Sequence, residues 1–150
     1  MSEYSTSSRD EMKNGTLPYL ENKGRGRREQ NSILLVDDRP DICDMLSQAL
    51  TMKGYRVITS AGGAGWLEQV IQSDDLPVLL LLDLSNPPVD AATFLQHLRA
   101  RWLAAPAIII MTTSKRIYEQ LLAAGEHVLQ KPFRVRDCLA EVERVLAGSQ

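Results

Sequence analysis

Two adjacent carboxylates, Asp37 and Asp38, directly follow the apolar run Ile33-Leu34-Leu35-Val36, and a third, Asp83, ends a second run from Val78 to Leu82. Continuous apolar runs of this length are what a parallel sheet buries on both faces. Residues at the carboxyl ends of its strands face the crevice where open α/β sheets bind ligands. Three acids brought together there call for a cation, because like-charge repulsion would otherwise raise one or more of their pKa values. A hard divalent ion that takes oxygen ligands and keeps several waters suits this donor set, so Mg2+ is the expected cofactor. A single Asp after a strand is as readily a solvated turn or a helix cap; three at these positions argue for a site. Asp38 precedes Pro40 at a helix start and is also a candidate cap, whereas Asp41 and Asp44 read as surface charges.

Two more polar residues fall at the same edge. Thr112 follows the run Ala107 to Met111, which places a hydroxyl after another strand, and Lys131 follows the short run His127 to Leu129. Either would be unremarked alone, since a loop lysine is normally a solvated charge. Beside an acid cluster, an ammonium and a hydroxyl are suited to holding phosphoryl oxygens. Lys131 precedes Pro132, and a chain that must turn sharply here makes their peptide bond a candidate for the cis form.

Strand-like and helix-like segments alternate from Ile33 onward, which is what positions these groups. Ile33 to Val36 is followed by a helix opening at Pro40, with Ile42, Met45, Leu46, Ala49 and Leu50 at spacings of three and four, and Gly54 ends it. Tyr55 to Thr59 has the aromatic and β-branched content of a strand. A helix over Gly63 to Ser73 turns Trp66, Leu67, Val70 and Ile71 inward. Val78 to Leu82 precedes a helix over Ala91 to Arg101, with Phe94, Leu95 and Leu98 inward, and Ala107 to Met111 precedes a short helix over Arg116 to Ala124, closed by Gly125. After the fifth strand, Val135, Leu139, Val142 and Leu146 stripe the last helix. Five strands alternating with five helices give an α/β sandwich with right-handed crossovers covering both faces of a parallel sheet.

With the acids, the hydroxyl and the lysine in place, residues 32–148 resemble a receiver domain of the two-component response-regulator family, in particular its single-domain members. The resemblance implies a flavodoxin-like three-layer sandwich with five parallel strands in the order 2-1-3-4-5. It implies that Asp83 is the phosphoacceptor, that Asp37 and Asp38 hold Mg2+ directly or through water, and that the backbone carbonyl of Ser85 adds a ligand. Thr112 is then the switch hydroxyl, and Lys131, backed by Pro132 and Phe133, pairs with the phosphoryl oxygens. A sensor histidine kinase or histidine phosphotransfer protein would supply the phosphoryl group. A downstream protein would bind the region of residues 112–136, and pairing with a second copy is a further family expectation. Self-phosphorylation and slow autodephosphorylation are expected, without turnover of a separate substrate.

The chain departs from the family pattern in three places. Pro87 stands four residues after Asp83 as in the family, but Ala91 occupies the usual glycine position, where a left-handed backbone would cost Ala on the order of 1 kcal/mol. Pro88 stiffens the same loop. The segment from Thr112 to Lys131 is shorter than usual, and Val128 replaces the aromatic expected three residues before the lysine, with His127 beside it. His97 reads as a surface residue. These departures motivate an alternative, a pseudo-receiver that keeps the fold as an interaction module without useful phosphorylation. A Mg2+-dependent phosphohydrolase fits less well, because Leu84-Ser85 follows Asp83 where a second aspartate would be wanted. A flavodoxin-like cofactor carrier needs a phosphate-cradling loop rather than an acidic pair, and Gly62-Gly63-Ala64-Gly65 reads as a flexible lead into a helix.

Composition bounds the rest. The 150 residues are 44% hydrophobic and 24% charged with a net charge of −2, which suits one ordinary globular domain and offers nucleic acid no overall attraction. No run approaches the roughly 18 apolar residues of a membrane span, and an N-terminal signal peptide is not evident, so a cytoplasmic location without membrane or nucleic-acid partners is expected. Cys43 and Cys138 fall inside helical segments and read as unpaired thiols. Residues 1–31 are polar, without a sustained period, and read as a flexible extension whose Lys23, Arg25, Arg27 and Arg28 are solvated; residues 149–150 are a tail. No helix-turn-helix follows the final helix, so the output is expected to be a protein surface.

Overall fold

The computed structural model describes residues 32–148 apart from 64, 74, 75, 86 and 88. The expected extension over residues 1–31 with its basic cluster, the two-residue tail and the stiffening by Pro88 lie outside the described residues. Five strands, β1 (Ser32–Val36), β2 (Arg56–Ser60), β3 (Leu79–Asp83), β4 (Ala107–Thr112) and β5 (His127–Gln130), alternate with five helices. These are α1 (Pro40–Met52), α2 (Trp66–Gln72), α3 (Ala91–Arg99), α4 (Lys115–Ala123) and α5 (Val135–Gly148). All strand pairs are parallel, and the sheet order is β2-β1-β3-β4-β5. This is the flavodoxin-like three-layer sandwich.

Alternation along the strands builds two cores. Leu34, Val36, Leu80, Leu82, Ile108 and Ile110 face a layer with buried Leu95, Leu98, Ile117 and Leu121 from α3 and α4, and Trp66, Leu67 and Val70 of α2 pack against it. Ile33, Leu35, Leu79, Leu81, Ile109 and Met111 face Leu46 and Leu50 of α1 and Cys138, Val142 and Val145 of α5. The central strand β3 is Leu-Leu-Leu-Leu-Asp, with its four leucines buried, and each fully buried leucine contributes roughly 1.5–3 kcal/mol of transfer free energy. A strand buried on both faces cannot slide by one residue without displacing two cores, so the register at its carboxyl end is fixed.

That register positions the acids. Val36 pairs with Leu82, which puts Asp37 and Asp83 side by side one step further on. The chain leaves β1 toward one edge and returns to the other side as β3, so the loops after the two strands diverge and leave a crevice at the switch point.

Most expected boundaries differ from those observed by one or two residues, and α2 is an exception. It starts at Trp66 rather than Gly63, because Gly62, Gly63 and Gly65 take positive φ angles of 84°, 79° and 90° and keep the preceding chain out of the helix. Ala91 opens α3 as a right-handed helical residue and is buried, so the left-handed strain considered for this position does not arise. Asp90 caps that helix, its side chain accepting from the Thr93 amide. No helix among the described residues is long and apolar enough to cross a membrane.

Candidate functional site

Asp37 is the most enclosed member of the cluster, with its side chain inaccessible to solvent. A carboxylate in such a place must be paired and hydrogen-bonded. Its Oδ1 accepts the Arg39 amide at 2.9 Å, and its Oδ2 accepts the Lys131 ammonium at 2.6 Å. The same Nζ lies 3.1 Å from Asp83 Oδ1, so one ammonium joins the ends of β1 and β3. Burial lowers the pKa of Lys131, but its hydrogen bonds to Asp37 and Asp83 and their negative charge outweigh that, leaving it above the ordinary lysine value. Lys131 is anchored through its own amide, which donates to Thr112 carbonyl oxygen at 2.7 Å, and its bond to Pro132 is cis.

Asp38 is exposed, Asp83 is half-buried, and one carboxylate oxygen from each of Asp37, Asp38 and Asp83 falls in a group spanning no more than 4.8 Å. The donors are all oxygen, the choice of a hard cation that retains waters. The cap suggested for Asp38 is not made: Arg39 is the N-cap of α1, without a side-chain cap hydrogen bond. The neighbouring Asp37 accepts the Arg39 amide instead. Asp41 is exposed and pairs with Arg39, and Asp44 is exposed.

Two clefts flank the cluster. One, of about 600 Å³, is lined on its apolar side by Ile42, Met45, Pro132 and Phe133 and on its polar side by Asp38, Asp83, Ser85, Thr113 and Lys131. The other, of about 500 Å³, lies between the Gly62–Gly63 loop, Trp66, Phe94 and the acids. Asp83 borders both, so its carboxylate is open to a reactant.

The hydroxyl groups are arranged differently from the sequence expectation. Thr112 ends β4, but it is fully buried and its Oγ1 accepts the Ser114 amide at 3.0 Å. The residue that lines the cleft is Thr113. Its amide and hydroxyl both reach Ser85 Oγ, at 3.3 and 3.2 Å, and Ser85 Oγ lies 3.2 Å from Asp83 Oδ1. Sequence reasoning singled out Ser85 for its carbonyl and missed its hydroxyl; its place two residues beyond a strand-ending acid was the available signal. Ser114, also not singled out, caps α4 by accepting the Ile117 amide at 3.1 Å.

The remaining candidates lie elsewhere. His127 is at the start of β5, three residues before the carboxyl edge, with Nδ1 3.5 Å from Glu141 of α5. Val128 is buried in the layer beneath α4, so neither places a ring at the cleft. His97 is exposed. Both cysteines are free; the Cys43 thiol donates to the Asp37 carbonyl at 3.4 Å, and burial pushes the Cys138 pKa up to about 12.

Fold and cluster together define an α/β domain with an acidic, lysine-bearing cleft at the carboxyl edge of a 2-1-3-4-5 sheet. Residues 33–143 match the sequence model of the response regulator receiver domain, and the chain belongs to that family. It is 35% identical over 112 residues to the transcriptional regulatory protein KdpE of Mycobacterium tuberculosis, covering 73% of this chain and 48% of that one. This chain therefore spans about half the length of that relative. It is 33% identical over 124 residues to a probable chemotaxis protein CheY of Rhizobium etli, covering 80% of this chain and 95% of that one. Among solved structures, a response regulator protein of Thermotoga maritima in complex with Mg2+-BeF superposes with a TM-score of 0.62 at 22% identity, covering 77% of this chain and 98% of that one.

Proposed function

We propose that this chain accepts a phosphoryl group on Asp83 from a phosphohistidine, in a Mg2+-dependent reaction, and signals through a protein surface. The observation that carries this reading is the Asp83 carboxylate, open to the cleft and 3.1 Å from an ammonium that also holds buried Asp37. One Asp83 oxygen bonds to phosphorus as the bond from phosphorus to the donor imidazole nitrogen breaks, and the nitrogen keeps the electron pair. The product is an acyl phosphate, which water slowly hydrolyses.

Asp37, Asp38, Asp83 and the Ser85 carbonyl would hold Mg2+, which when bound neutralises charge on the phosphoryl oxygens. The Thermotoga relative solved with Mg2+-BeF supports this by analogy. Lys131 is already desolvated and positioned, so turning from Asp83 toward a phosphoryl oxygen needs little reorganisation, which is the condition under which a fixed charge is most effective. Thr112 can reach the phosphoryl group only by rotating its hydroxyl away from the Ser114 amide, which links phosphate binding to the first turn of α4.

The donor is a sensor histidine kinase or a histidine phosphotransfer protein, met at the cleft rim, where Ile42, Met45, Pro132 and Phe133 offer apolar contact beside the acid. The region of residues 112–136 carries the output to a downstream protein, and a second copy of the chain is one candidate for that face. The setting is cytoplasmic. Changing Asp83 to Asn is expected to abolish the one-phosphoryl mass gain from a phosphohistidine donor, with circular dichroism unchanged; an undiminished gain in that variant rules the assignment out.

A further inference from the structure

Position 39 breaks two local rules at once. A helix N-cap favours a side chain that accepts a hydrogen bond, and the positive end of the helix dipole favours an acid. Arg39 is the N-cap of α1, makes no side-chain cap hydrogen bond and brings a cation. Neighbouring acids compensate. Asp37 Oδ1 accepts the Arg39 amide at 2.9 Å, and the Asp41 carboxylate accepts Nε at 3.3 Å and a terminal guanidinium nitrogen at 3.0 Å. A residue that works against its own helix is expected where function needs it.

The backbone at Arg39 is anchored by a buried carboxylate, whereas its guanidinium rests on an open one. The Arg39 and Asp41 side chains are each 64% exposed, and a pair so open to water is weak and screened by salt. Arg39 lines the cleft of about 600 Å³ together with Asp83 and Lys131. These two cations are placed differently. Lys131, 11% exposed, is spanned between Asp37 and Asp83. Arg39 stands exposed at the rim with a planar fork of donors, the shape that holds phosphoryl oxygens through two parallel hydrogen bonds.

We propose that Arg39 is a substrate-binding residue of the cleft: its guanidinium leaves Asp41 and grips the phosphoryl group of the incoming donor, holding it at the rim to face Asp83. This deepens the reading of Asp83 as the phosphoacceptor and rests on it. The need is one of charge. Three carboxylates face a single ammonium at the cluster, so an anionic donor is repelled as it approaches. Lys131 is bound to two of those acids until the group arrives, which leaves Arg39 as the cation that meets it first. The exchange is cheap, because Asp41 returns to water and a more highly charged acceptor takes its place.

The test uses the full chain with Arg39→Gln, Arg39→Lys, Asp41→Asn and the charge control Asp44→Asn. Acetyl phosphate and phosphoimidazole, which share the phosphoryl group and differ in the leaving group, serve as donors with Mg2+. Locating the wild-type mass gain checks the underlying reading: a gain on a residue other than Asp83 would overturn both assignments, whereas the Arg39 assignment fails by itself on the rates. Arg39→Gln is expected to raise KM about tenfold with both donors and leave kcat within about twofold, the signature of a contact made equally before and during transfer. Arg39→Lys, which keeps the charge and loses the fork, should raise KM about two- to fourfold. Asp41→Asn should lower KM about twofold at an unchanged melting temperature, and Asp44→Asn should leave KM as it is. Mg2+ alone, titrated calorimetrically, should bind Arg39→Gln about two- to threefold more tightly, because a cation near the acids is gone. A damaged cleft would weaken both ligands, so the opposite signs separate binding from a structural role. An unchanged KM in Arg39→Gln, a rise confined to one donor, a loss in kcat alone, weaker Mg2+ binding, or equal effects of Asp41→Asn and Asp44→Asn would each overturn the proposal.

Discussion

The two sides of the carboxyl edge are held by different forces. On the β1–β3 side, Asp37 and Asp83 share the Lys131 ammonium at 2.6 and 3.1 Å, in a place where Asp37 has no contact with solvent. On the β4 side, Thr112, Thr113, Ser114 and Ser85 are joined by neutral amide and hydroxyl contacts of 3.0 to 3.3 Å. Charge-assisted hydrogen bonds are roughly twice as strong as neutral ones, and burial makes them dearer to break. The side that performs the chemistry is thus stiff, and the side that reports it is soft. A substitution in the first should change a rate; one in the second should shift an equilibrium between loop positions.

The largest effect tests the stiff side. Lys131→Ala is expected to slow phosphorylation by about 10²- to 10³-fold, the scale of losing one preorganised charge at a reacting group. It also strands buried Asp37, so urea unfolding without divalent ion should show a loss of about 2–4 kcal/mol that Mg2+ partly restores. A rate close to wild type would mean that the ammonium is structural only.

Ser114→Ala probes the soft side at smaller scale. Loss of this cap should cost about 1 kcal/mol and speed amide exchange in the first turn of α4, while phosphorylation of Asp83 changes by less than about twofold. Equal damage to the phosphorylation rate would erase the contrast between the two sides.

The tie between Glu126 and Arg99 is smaller again and has a defined pH window. Both terminal guanidinium nitrogens of Arg99 donate to the Glu126 carboxylate, at 2.9 and 2.6 Å, anchoring the turn before β5 to α3. The hydrogen bond from Arg99 is the main cause that lowers the Glu126 pKa, against the opposing effect of burial. A depressed folded-state pKa gives stability that is complete above the unfolded glutamate value of about 4.3 and is lost as pH falls through the folded value. Glu126→Gln should cost about 0.5–1 kcal/mol at neutral pH, with the difference from wild type vanishing at acid pH in paired thermal melts. The exposed Arg39–Asp41 pair should give no measurable change on Asp41→Asn.

The stiff side was also the legible one. Five consecutive apolar or strand-ending positions in β3 and the same pattern in β1 announce doubly buried parallel strands, and acids at their ends must converge because the strands are in register. Lys131 could be read because its neighbour Pro132 marks the turn that returns it to the edge. What resisted reading was which way a side chain rotates. Thr112 and Thr113 are adjacent and chemically identical, and only the pleat, which sends Thr112 into the core, decides which hydroxyl reaches the cleft. The start of α2 was hidden for a related reason. Glycines tolerate either hand of the backbone, so Gly63 was compatible with helix until the fold required the left-handed form. The same freedom is absent at Ala91, and there the structure simply starts the helix.

The central claim is that three carboxylates from two strands form one ion-assisted pocket around a nucleophilic oxygen. Its most direct test is the time course of phosphorylation of the purified chain by acetyl phosphate, with Mg2+ and with excess chelator, followed by locating the modified residue by mass spectrometry. A single phosphoryl group on Asp83, formed only with the divalent ion, is the predicted result. Equal labelling under chelator, or a phosphoryl group on another residue, would contradict it.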